Sequence, residues 1–67
     1  MDVFQFINNY NLFVDEIESA VKPEFKQQIE KLRQTDPYDL VRPQTHLLNS
    51  TYARGFVWTM FVREIKG

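Results

Sequence analysis

The run Phe56-Val57-Trp58-Thr59-Met60-Phe61-Val62 carries no charge and a single hydroxyl, in a chain of only 67 residues. A domain of this size buries about 60% of the surface its unfolded chain exposes, so it has few places to hide seven such residues in a row. The run must either fill the core or meet another chain. How much of it the core accepts depends on what the rest of the sequence offers.

The common supports of a miniprotein are missing. With no cysteine there is no disulfide, and a lone histidine, His46, cannot assemble a structural zinc site. Packing alone must hold the fold, which makes oligomerisation the natural remedy. Hydrophobic residues at 43% and charged residues at 25% describe an ordinary globular domain and argue against disorder. No stretch approaches the ~18–20 apolar residues that cross a bilayer. The leading Met1-Asp2-Val3-Phe4 has no basic segment of the signal-peptide type, so the expectation is a soluble cytoplasmic protein.

Periodicity predicts helices. Val3, Phe6, Ile7, Tyr10, Phe13, Val14, Ile17, Ala20 and Val21 recur at spacings of three and four, which places them on one side of a helix. Asp2 is set to cap its start, with Gln5 three residues on to complete a capping box. Asn8, Asn9 and Asn11 compete for backbone groups, so a break near Tyr10-Asn11 is an open alternative. Phe4 and Leu12 fall off the stripe, as candidates for a second contact surface.

Pro23 ends this helix and suits the first turn of another, because it has no N–H to lose there. The second helix, to about Gln34, has a thin apolar seam of Phe25, Ile29 and Leu32. Asp36 with Pro37 then predicts a turn or a short capped helical turn, and Arg42-Pro43 ends it. The last element starts between Pro43 and Ser50. Its aromatic and β-branched content favours a strand, yet no segment supplies a partner strand for its backbone, so helix is the reading.

As a helix, this last element is apolar over most of its circumference. Gly55, Thr59, Arg63 and Lys66 form one narrow polar strip, while Tyr52, Ala53, Phe56, Val57, Trp58, Met60, Phe61, Val62 and Ile65 occupy the rest. Gly55 costs about 1 kcal/mol relative to alanine inside a helix, and close helix packing is its expected reason. Two companion helices, one with a three-residue seam, do not cover such a surface. The expected fold is therefore all-α, a single-domain three-helix bundle over residues 1–67 with helices at about 2–21, 23–34 and 45–65, completed by oligomerisation.

Chemistry is sparse. There is no cysteine nucleophile, no glycine-rich phosphate loop and no pair of metal-spaced histidines. His46 and Ser50 stand four apart with no third group to orient them. Asp15, Glu16 and Glu18 read as an acidic helix face, and a cation there needs oxygens from another element. No enzyme, cofactor or metal is expected. Small size, no cysteine and no catalytic signature resemble the accessory proteins of bacteriophages and other mobile elements, and that resemblance implies a protein that works by binding another macromolecule.

The functional expectation is a non-enzymatic interaction module that binds, inhibits or scaffolds another protein and self-associates, as a dimer, through its apolar C-terminal helix. Phe56, Trp58, Phe61, Val62 and Ile65 are its interface candidates, because large aromatic anchors dominate such surfaces. Within that set Trp58, Val62 and Ile65 are expected to face the partner, whereas Phe56, with Val57 and Met60, faces the first two helices. The alternative is a small dimeric nucleic-acid-binding regulator that presents Lys26, Lys31, Arg33 and Arg42 to phosphates. Its bases are scattered among acids and form no basic stripe.

Overall fold

In the computed structural model, which describes residues 1–67, the chain is all-helical and contains no strand. Helix α1 spans Val3–Ala20, α2 Lys26–Gln34, α3 Pro37–Val41 and α4 Ser50–Lys66. Short 3-10 turns, Pro23–Phe25 and Thr45–Leu48, lead into α2 and α4. Three long helices pack on one another as a bundle, and the short α3 closes one end against α1.

Local chemistry explains most boundaries. Asp2 and Gln5 form the reciprocal capping box, with the Gln5 N–H donating to Asp2 Oδ1 at 2.8 Å and the Asp2 N–H to Gln5 Oε1 at 3.0 Å. Asp36 Oδ1 accepts from the Tyr38 N–H at 2.9 Å, and Pro37 occupies the first position of α3. Asn49 Oδ1 accepts from the Thr51 N–H at 2.9 Å and starts α4 at Ser50. The expected third helix from residue 45 is therefore a 3-10 turn followed by a separately capped α-helix. The asparagines near Tyr10 do not break α1: Asn8 and Asn11 lie in an unbroken helix and are solvent-exposed.

One cluster of 12 buried residues forms the core, and all of them are hydrophobic. Helix α1 supplies Phe6, Tyr10, Phe13, Val14 and Ile17, whereas α2 supplies only Ile29 and Leu32. Ala53, Val57 and Phe61 come from α4, with Val41 and Leu47 from the connecting region. Each large member contributes about 1.5–3 kcal/mol by leaving water. Tyr10 is the one core residue with a polar group, and its hydroxyl donates to the Leu32 carbonyl at 2.6 Å, joining α1 to the end of α2. Burial pushes its phenol above the usual value, opposed in part by the Thr35 side chain.

Candidate functional site

Helix α4 turns one narrow stripe inward. Ala53, Val57 and Phe61 are four apart in sequence, drift only ~40° per step, and are buried. Phe61 is 3% exposed and sits between two aromatic rings, edge-on to Phe25 at 5.8 Å and to Trp58 at 6.1 Å between centroids. It is a core residue and does not stand at the surface as an interface anchor. The reason is positional: Phe61 follows Val57 by one turn, and the Phe25 ring at the entry to α2 covers it.

The other interface candidates divide. Phe56, like its neighbour Met60, is partly buried and packs on the core, as expected for the side that faces α1 and α2. Val62 and Ile65 are each 41% exposed. Trp58 lies between these cases, half-buried, with its ring against Phe61. Trp58, Val62 and Ile65 fall within about 60° of one another around the helix, so they form a continuous apolar side.

Gly55 lies beside them. Nothing comes within 4 Å of the position a Cβ would take there, so no packing inside this chain requires the glycine. The expected close approach within the bundle is absent because the polar strip of α4 faces solvent. Its carbonyl accepts from the Thr59 hydroxyl at 2.9 Å, one turn on along the same strip.

The charged residues are largely used within the fold. Arg33 bridges Asp15 at 2.7 Å and Glu18 at 3.3 Å, and these carboxylates raise its guanidinium above the ordinary arginine value. Glu16 meets Arg54 at 3.3 Å, while the Arg54 guanidinium also lies over the Phe13 ring. The acidic face of α1 thus clamps α2 and α4. Lys31 is 3.4 Å from Glu64, and Arg42 lies over the Tyr38 ring. Of the four bases in the nucleic-acid alternative, Lys31 and Arg33 already have carboxylate partners, leaving Lys26 and Arg42 without one.

The remaining features are modest. His46 sets its ring edge-on to Tyr52 at 5.8 Å. No group of three or more histidine and acidic side chains is arranged to hold a metal. A shallow depression of about 290 Å³ opens between the end of α1 and the start of α2, lined by Glu18, Val21, Lys22, Pro23, Lys26 and Ile29. Phe4 and Leu12 are 75% and 60% exposed on α1, as their departure from its stripe predicts. No helix is long and apolar enough to cross a membrane. Compared with protein-family models, curated proteins and solved structures, the chain matches none.

Proposed function

We propose that this chain is a non-enzymatic protein-interaction module that self-associates as a dimer through α4 and in that form binds or scaffolds another protein. The observation that carries the reading is the apolar side Trp58-Val62-Ile65, which the monomer leaves partly in water although its core is only 12 residues. Covering such a side with a second chain adds apolar burial that a domain of this size lacks. Tryptophan is also among the residues enriched at the centre of stable interfaces. Pairing of Lys31 and Arg33 with carboxylates weighs against a phosphate-binding surface.

Sedimentation equilibrium with Val62→Asp tests this. Val62 is exposed, so the substitution leaves the core intact, and a dimeric parent with a monomeric, fully helical variant is the expected pair. A parent chain that stays monomeric at high micromolar concentration would overturn the proposal.

A further inference from the structure

The exposed side of α4 has a regular spacing. The apolar residues Trp58, Val62 and Ile65 are separated by four and three residues, the a/d spacing of a helix that packs along another helix, and the small residues Thr51 and Gly55 continue the same line towards the helix start. These five positions span about 80° of the helix and lie about 120° round from the Ala53-Val57-Phe61 stripe that meets the core. Four of the five are exposed and Trp58 is half-buried. The helix therefore has two seams, of which the fold fills one.

We infer that the second seam pairs with the same seam of a second copy, antiparallel, so that Trp58 of each chain lies over Gly55 of the other. This rests on the self-association proposed above and specifies its geometry. Size complementarity favours this arrangement. Gly55 leaves open space where every other residue type would place a side chain, and three positions away stands the largest side chain in the chain. A two-fold axis between residues 55 and 58 sets each tryptophan into the other chain's gap. The same register sets Thr51 opposite Val62, again small against larger. It is an isologous contact, in which one patch complements itself and closes at two copies.

A parallel, in-register pair fails on the same residues. It stacks Gly55 on Gly55, leaving a void, and Trp58 on Trp58, with too much volume in one layer. It also gathers Arg63 and Lys66 of both copies at one end, whereas the antiparallel pair separates them to opposite ends and opposes the helix dipoles. The glycine's helix penalty of about 1 kcal/mol, unexplained inside the monomer, has a physical reason in this pair.

Cysteine scanning reads the register directly, because the chain has no cysteine of its own. Under mild oxidation the double variant Thr51→Cys/Val62→Cys is expected to form a disulfide-linked dimer, and mixing the two single variants a crossed one. Neither single variant should link to itself, since only facing positions bring Cα atoms within about 7 Å. Self-linking of Thr51→Cys with itself identifies a parallel pair and overturns the inference. Gly55→Leu supplies a second reading. It removes the seat for Trp58 without touching the core, and is expected to weaken dimerisation about tenfold or more with helix content retained by circular dichroism. A Gly55→Leu chain that dimerises like the parent also overturns the inference. A parent chain with no dimer in sedimentation instead removes the underlying reading, so the two failures are distinguishable.

Discussion

Helices α1 and α4 are nearly the same length, 18 and 17 residues, yet they spend their apolar residues differently. Helix α1 buries five large side chains along one stripe and turns asparagines and acids outward, two of its exceptions being the exposed Phe4 and Leu12. Helix α4 buries only Ala53, Val57 and Phe61, and leaves Trp58, Val62 and Ile65 half in and half out of water. The apolar stripe of α1 is filled by the monomer, and Phe4 and Leu12 stand apart from it. Helix α4 has apolar surface beyond what three companions cover, and α2, with two buried residues, is the reason they cannot cover more.

The sharpest way to break this contrast is Phe61→Ala. Removing a buried phenylalanine costs about 3–5 kcal/mol, close to the whole stability that a core of this size supplies. The expected result is a chain largely unfolded at 25 °C by circular dichroism. A folded variant that lost only self-association would return Phe61 to the exposed side of α4 and erase the distinction between its two seams.

Tyr10→Phe probes the α1 side more gently. The Leu32 carbonyl also accepts from the Thr35 N–H at 3.2 Å, so removing the hydroxyl does not orphan it, and a loss of about 1 kcal/mol is expected in urea unfolding. The pH dependence follows from the raised phenol. Folding favours the protonated form, so this contribution is complete below the unfolded value of about 10 and is lost as pH rises through the higher folded value. The variant should lack that alkaline component, and an unchanged alkaline profile would show that Tyr10 does not carry it.

The smallest effect concerns the outer side of α4 in the single chain. At dilutions where the chain is monomeric, Gly55→Ala should stabilise it by about 0.4–1 kcal/mol, because the site is exposed and helical and nothing crowds the added methyl. Thermal unfolding of the dilute protein measures this. Destabilisation there would mean that the outer side of α4 is already covered within one chain.

Parts of the fold were legible because they depend on neighbours in sequence. Asp2 with Gln5 and Asp36 with Pro37 are caps whose partners lie within three residues, so local hydrogen bonding places them. The stripe of α1 and the exposure of Phe4 and Leu12 follow from angle alone, since a strongly two-sided helix has one way to face a core. The candidate site was legible in part. Angle round the helix separates Val62 and Ile65 at the surface from Val57 inside, but nothing in the neighbourhood of Phe61 announces that Phe25, 36 residues away, closes over it.

Residue order alone dictates an all-helical chain with capped starts, one well-specified amphipathic helix and more apolar surface in its last segment than a short bundle absorbs. Tertiary structure decided the rotation of α4 about its own axis. A helix apolar nearly all round has no preferred face of its own, so its inward stripe is chosen by what the other helices present: the Phe25 ring against Phe61, Glu16 reaching Arg54, and Lys31 reaching Glu64. That choice, made by residues distant in the chain, is also what leaves Gly55, Trp58, Val62 and Ile65 along the outer side.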